Sequence, residues 1–139
     1  MSRLYLDACC IIYLVEAIAP FQQVVRRRVV RHRAEPDAVL VTSRLSRLEC
    51  RVAPLRDGDD RLLGQYDGFF GARRVVVAEV TADVVELATV LRARHRFKTP
   101  DALHLATAIE QRVDAFLTGD AELARCTDLN VEVLTESAV

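Results

Sequence analysis

None of the four cysteines, Cys9, Cys10, Cys50 and Cys126, is paired as C-x-x-C, and no histidine stands at zinc-finger distance from them. Structural zinc is thereby disfavoured, and the thiols are expected to serve as small apolar side chains in a reducing compartment. No run reaches the ~18 uninterrupted apolar residues that a membrane span requires. The apolar opening from Met1 to Pro20 carries Asp7 and Glu16 and has no small-residue cleavage site, so it does not read as an export signal. A cytoplasmic protein with no membrane association is expected. Repeats, linkers and low-complexity tracts are also missing. A strong charge of one sign is lacking too: the net charge is -1, which removes the fold-wide basic field that would announce nucleic acid. Lysine is nearly absent, Lys98 being the single one among 19 basic residues. Arginine suits bidentate contact with phosphate, but a genome rich in G and C gives the same bias, so the ligand stays open.

What remains is 139 residues that are 51% hydrophobic, enough for one domain spanning 1–139 with its own core. Short apolar runs alternate with longer amphipathic ones, the pattern of an α/β domain built on a parallel sheet. Strands are predicted at Arg3 to Leu6, Ala38 to Thr42, Arg74 to Val80, Ala115 to Leu117 and Val131 to Leu134. Helices are predicted at Ala8 to Ala19, Phe21 to Arg33, Ser43 to Leu55, Asp59 to Phe70, Thr81 to Arg96 and Pro100 to Arg112, with a short turn at Ala121 to Arg125. Pro20 ends the first helical run, since it lacks the amide donor and clashes with the preceding turn. Thr81 is placed to cap the fifth helix, and Thr99-Pro100 reads as a cap followed by proline at the first helical position.

Among the 20 acidic residues, four stand where a surface carboxylate has least reason to be. Asp7 follows the first strand, and ligands of open α/β sheets bind at the carboxyl ends of strands. Asp120 ends a matching arrangement, Ala115-Phe116-Leu117-Thr118-Gly119-Asp120, in which Gly119 is free to take backbone angles closed to other residues. For both, helix capping is an equally simple role. Glu49 shares a helix face with Leu45, Leu48, Val52 and Leu55, which points it inward; alternatively Ser46-Arg47-Leu48-Glu49 forms a capping box. Asp101 sits in the first turn of its helix, where the dipole favours an acid. The stripe Ala102, Leu105, Ala106 and Ile109 that follows lets that helix press close to the sheet. Four carboxylates gathered at one end of a sheet would repel unless a divalent cation neutralised them, and oxygen donors suit Mg2+ or Mn2+. On the same ground His104, three residues beyond Asp101, is left out of the ligand set.

These residues together resemble the PIN-domain family, and within it the VapC-like ribonuclease toxins of toxin-antitoxin pairs. The matching pieces are Tyr5-Leu6-Asp7, the helix from Ser43 to Glu49, the segment from Thr99 to Ala108, and Phe116-Leu117-Thr118-Gly119-Asp120. The resemblance implies a three-layer fold with a five-stranded, mostly parallel sheet of order 3-2-1-4-5. It also implies a metal-dependent endoribonuclease that hydrolyses phosphodiester bonds in RNA, with Asp7, Glu49, Asp101 and Asp120 as metal-binding catalytic residues and Thr118 supporting them. A cognate antitoxin and a homodimer are the partners it implies. Cys9 and Cys10 depart from its pattern, standing where small polar residues such as serine are frequent. The arginines from Arg26 to Arg33 and Arg44, Arg47 and Arg51 are candidates for RNA phosphates, for an acidic partner or for plain solvation. A receiver-like domain would need an aspartate ending a middle strand, and a haloacid-dehalogenase-like phosphatase would need Asp-x-Asp where Asp7-Ala8-Cys9 stands. The remaining alternative keeps the fold without the chemistry, as an inactive PIN-like module that binds RNA or protein.

Overall fold

Side chains alternate along a strand, so Leu4 and Leu6 of β1 (Arg3–Leu6) face one side of the sheet and Tyr5 faces the other, all three fully buried. A strand buried on both faces belongs in the middle of a parallel sheet covered on both sides. In the computed structural model, which describes residues 2–136, β1 holds that central place. It is flanked by β2 (Val39–Ser43) and β4 (Ala115–Thr118), with β3 (Val75–Ala78) and β5 (Val131–Val133) outside them. The order is β3-β2-β1-β4-β5, and every pairing is parallel.

Six α-helices complete an α/β fold of three layers. On the Leu4 and Leu6 side lie α1 (Ala8–Val15), α2 (Phe21–Arg33), α3 (Arg44–Asp57) and α4 (Asp60–Phe70), which contribute Ile11, Val25, Cys50 and Tyr66 to one core. On the Tyr5 side α5 (Ala82–His95) and α6 (Thr99–Glu110) contribute Leu91, Ala102, Leu105 and Ala106, together with Phe97 from the loop between them. Each fully buried leucine of this kind contributes about 1.5–3 kcal/mol relative to an exposed one. Of the predicted stripe, Ala102, Leu105 and Ala106 have no exposed surface and Ile109 is partly buried, as expected for a helix pressed close against its neighbours.

The element order follows the sequence expectation, and the differences lie at ends. The first helix stops at Val15 rather than Ala19: Ala17 takes a left-handed φ of 54°, which breaks the helical ladder ahead of Pro20. Thr99 does not cap α6. Lys98 occupies the cap position in extended conformation, with no side-chain cap bond, and the Thr99 hydroxyl instead accepts from Arg92 Nη1 at 2.9 Å. Thr81 caps α5 as predicted, accepting from the amide of Val84. The α3 helix runs two residues beyond Leu55 and closes at Gly58, whose φ of 67° suits a residue without a side chain. Cys10, Cys50 and Cys126 are buried and all four thiols are free. Among the described residues no helix is long and apolar enough to cross a membrane.

Candidate active site

The registers Tyr5 with Phe116 and Leu6 with Leu117 bring the carboxyl ends of β1 and β4 side by side. Asp7 follows Leu6 on one strand and Thr118 follows Leu117 on the other. The Thr118 hydroxyl donates to Oδ2 of Asp7 over 2.7 Å, and the same oxygen of Thr118 accepts the amide of Asp120 at 3.1 Å. Oδ1 of Asp7 accepts the amide of Ala8 at 2.9 Å, so Asp7 also caps α1. Asp120 likewise caps the 3-10 turn Ala121–Arg125 through the amide of Glu122. Capping and a place at the strand ends are thus compatible, since one oxygen of each carboxylate serves the turn that follows it. Gly119 has no left-handed backbone, contrary to expectation, and a Cβ there would meet Cys9 Sγ at an ordinary 3.5 Å. Its amide donates to that sulfur at 3.3 Å, and the sulfur lies 3.8 Å from Oδ2 of Asp7. The thiol thus stands, as a weaker partner, where a serine hydroxyl is frequent.

Glu49 reaches the cleft by a route the sequence did not give. Ser43 caps α3, accepting from the amide of Leu45, so the helix starts too early for Ser46 to form a capping box. Ser46 is buried instead, 2.8 Å from the hydroxyl of Thr42. The inward face of α3 is Ser46, Cys50 and Pro54, while Leu48, Val52 and Leu55 are 63%, 54% and 64% exposed. Periodicity marked an apolar stripe correctly and its direction wrongly. Small residues let the helix approach its neighbours and carry no periodic signal strong enough to outvote four large apolar ones.

At the edge of that inward face the Glu49 carboxylate meets His104, the residue excluded as a ligand. Oε1 of Glu49 lies 2.6 Å from His104 Nε2, and His104 Nδ1 lies 2.6 Å from the hydroxyl of Tyr5. The imidazole is 2% exposed against 31% for the Glu49 side chain, and Nε2 is also 3.8 Å from Oδ1 of Asp7. Burial alone would lower the pKa of His104; the hydrogen bond to Glu49 and the charges of Asp7, Glu49 and Asp101 outweigh it and raise it. Burial, then the charges of Asp7 and Glu49, push the Tyr5 hydroxyl well above its ordinary value, so it keeps its proton. The available signal was spacing: His104 lies one turn beyond Asp101 on the buried side of the same helix.

Asp101 is half-buried, and burial followed by the charges of Asp7 and Asp120 raises its pKa. These shifts make Asp101, Asp7 and Asp120 electrostatic neighbours, with His104 and Lys98 acting in the opposite sense. Among the described residues no lysine or arginine forms an ion pair with any of the four acids. Nor, among them, do three acidic, histidine or cysteine side chains stand close enough to grip an ion as they are. The donor chemistry nevertheless fits a hard divalent cation, because the four acids offer carboxylate oxygens and the like charge at Asp101 is only partly offset.

Several arginines proposed for RNA have partners within the chain. Arg28 makes a two-point contact with Glu132 at 2.7 and 3.1 Å, Arg44 pairs with Glu79 at 2.6 Å and Arg51 with Asp67 at 2.8 Å.

Comparison with known families adds a wider frame. The model of the PIN domain matches residues 4–129. A solved structure of VapBC2 from Rickettsia felis, bound to a DNA fragment from its promoter, superposes with a TM-score of 0.79 at 14% identity, covering 96% of this chain and 99% of that one. A DNA-bound VapBC from Salmonella typhimurium gives 0.76 at 16% identity over 96% and 98% of the two chains. The sarcin-ricin loop cleaving toxin VapC20 of Mycobacterium tuberculosis gives 0.71 at 19% identity over 89% and 95%. At such identities the likeness is one of fold. No curated protein sequence matches.

Proposed function

The chain belongs to the PIN-domain family, and from that premise we propose that it is a metal-dependent endoribonuclease acting as the toxin of a toxin-antitoxin pair. The observation that carries the reading is Asp7, buried at the end of β1 with one oxygen held by Thr118 and with no arginine or lysine paired to it among the described residues. A buried carboxylate costs several kcal/mol unless something cationic meets it, and Asp101 and Asp120 add to the demand.

Asp7, Glu49, Asp101 and Asp120 would hold Mg2+ or Mn2+ in this reading. The cation supplies a Lewis acid that makes water nucleophilic near neutral pH and offsets the charge on a phosphate. Thr118 holds Oδ2 of Asp7, and its bond to the Asp120 amide ties the two acids together. No side chain has to attack the phosphodiester. RNA as substrate and an antitoxin as partner are inferred from the neighbours, among them the sarcin-ricin loop cleaving toxin VapC20 and a toxin-antitoxin complex from Klebsiella pneumoniae.

A homodimer is also proposed, with the exposed face of α3 as its contact. The charges beside Leu48, Val52 and Leu55 are already paired within the chain, Arg44 with Glu79 and Arg51 with Asp67. An apolar patch whose flanking charges are internally satisfied selects its own copy better than an acidic partner.

Purified protein on mixed RNA tests the central claim. Cleavage is expected with Mg2+ or Mn2+, none with chelator, and a drop of at least about 100-fold in Asp7→Asn and Asp101→Asn. Undiminished cleavage by folded Asp7→Asn would remove the proposed site; RNA binding without cleavage by the native chain would instead make it a binding module. For the toxin role, expression should slow bacterial growth and a small protein encoded alongside should relieve it; indifferent growth argues against toxicity.

A further inference from the structure

His104 brings an imidazole into a centre built mainly of carboxylates and hydroxyls. Both its ring nitrogens are engaged at 2.6 Å, and the ring is almost wholly buried. A carboxylate has no proton to give, so Nε2 carries the hydrogen and donates it to Oε1 of Glu49. On the other side of the ring Nδ1 is hydrogen-bonded to the Tyr5 hydroxyl. Tyr5 is itself fixed: its ring stacks on Phe116 at 4.8 Å and 6°, and the imidazole meets it edge-on at 6.0 Å and 74°. Phe116, Tyr5, His104 and Glu49 form a chain of contact running through β4, β1, α6 and α3.

We propose that His104 is the positioning residue for Glu49. The inference rests on the metal-site reading above and extends it to a group outside the four acids. Glu49 is a long, partly exposed side chain on a helix at the edge of the cleft, and left alone it would sample several rotamers in water. Holding Oε1 selects one of them and leaves Oε2 as the oxygen available to a divalent cation. The grip is rigid because the ring is locked from behind by Tyr5, and such supporting contacts decide how well a ligand is presented.

Mn2+ binding to the full chain, measured by isothermal titration calorimetry, tests this without reference to RNA cleavage. His104→Leu should weaken Mn2+ affinity about 10–100-fold, the usual cost of losing a group that orients a ligand. His104→Gln, whose amide can donate to Glu49, should recover most of it. Tyr5→Phe should weaken it in the same direction by a smaller factor. In a Glu49→Gln background, His104→Leu should change nothing further, a non-additivity that a general packing defect would not produce. Circular dichroism and melting establish which variants fold; should His104→Leu not fold, His104→Gln and Tyr5→Phe decide. Native-like Mn2+ affinity in folded His104→Leu, or in folded Tyr5→Phe if only that variant is available, overturns the proposal. So does an equal loss with and without Glu49. A native chain that takes up no Mn2+ overturns the metal site itself, and the two failures are thereby told apart.

Discussion

Thr118 and Asp7, 111 residues apart in the chain, share a hydrogen bond of 2.7 Å across the ends of adjacent strands. Thr118 is fully buried and Asp7 nearly so, and the hydroxyl makes the shortest hydrogen bond to Oδ2 of Asp7. Thr118→Val keeps the shape and removes the donor. It should lower Mn2+-dependent RNA cleavage about 10–100-fold, while Thr118→Ser should retain most of the rate. Equal rates for the valine and native proteins would mean that the bond only stabilises the fold.

Asp101 is held near Asp7 and Asp120 without an arginine or lysine ion pair among the described residues. Asp101→Asn should therefore raise the melting temperature of metal-free protein at neutral pH by relieving that repulsion. The native chain should gain more from millimolar Mg2+ than the variant does, since a ligand stabilises the folded state only as far as it binds it. Thermal denaturation with and without Mg2+ reads both effects. A variant that melts lower and gains as much from Mg2+ would contradict the electrostatic account.

Arg28 on α2 and Glu132 on β5 tie an edge strand to the helix covering it. The hydrogen bond from Arg28 outweighs partial burial and holds the Glu132 carboxyl below its usual range. A depressed folded-state pKa means that the stabilisation is present above the unfolded value and fades as pH falls through the folded one. Glu132→Gln should cost about 0.5–1 kcal/mol at neutral pH and nothing in acid. Urea denaturation at neutral and acidic pH would show the difference vanish; a constant difference would assign the effect to packing.

The four thiols should differ sharply in reactivity. Burial pushes Cys50 up to about 12, and Cys10 and Cys126 are raised as well. Cys9 is lowered, chiefly by its contact with Cys10, and it is only partly buried. Iodoacetamide at mildly alkaline pH should therefore modify Cys9 first in the folded chain, as read by peptide mass spectrometry. Modification of Cys50 ahead of Cys9 would count against this arrangement.

Leu48→Lys with Val52→Lys should convert the proposed dimer into a monomer in light scattering. Because both residues are exposed in the single chain, melting of the monomer should move by no more than about 0.5 kcal/mol equivalent per site. Unchanged association would place the contact elsewhere.

The helix count was readable in advance from amphipathic runs of the right lengths, whereas the sheet order came only from the family resemblance, because apolar runs mark where strands lie and not which of them are neighbours. Thr81 was equally readable, since a cap is a local matter. Thr99 was not: the choice between Lys98 and Thr99 depends on Arg92, seven residues away, which takes the hydroxyl. The buried face of α3 was hidden for a similar reason. Leu48, Val52 and Leu55 carry the strong periodic signal and yet face outward, while the buried side of α3 is made of serine, cysteine and proline. His104 was passed over because its chemistry was judged as that of a metal ligand, whereas its two bonds go to Glu49 and Tyr5, neither of them near it in sequence.

The central strand finds its second neighbour only after most of the polypeptide has been made, since β4 pairs with β1 across the whole intervening chain. While translation is under way, Asp7 emerges early and waits beside an uncovered strand edge, with no Thr118 hydroxyl to hold it. On the proposed reading, a chain stopped before β4 lacks both Thr118 and Asp120, so truncation there should abolish cleavage altogether.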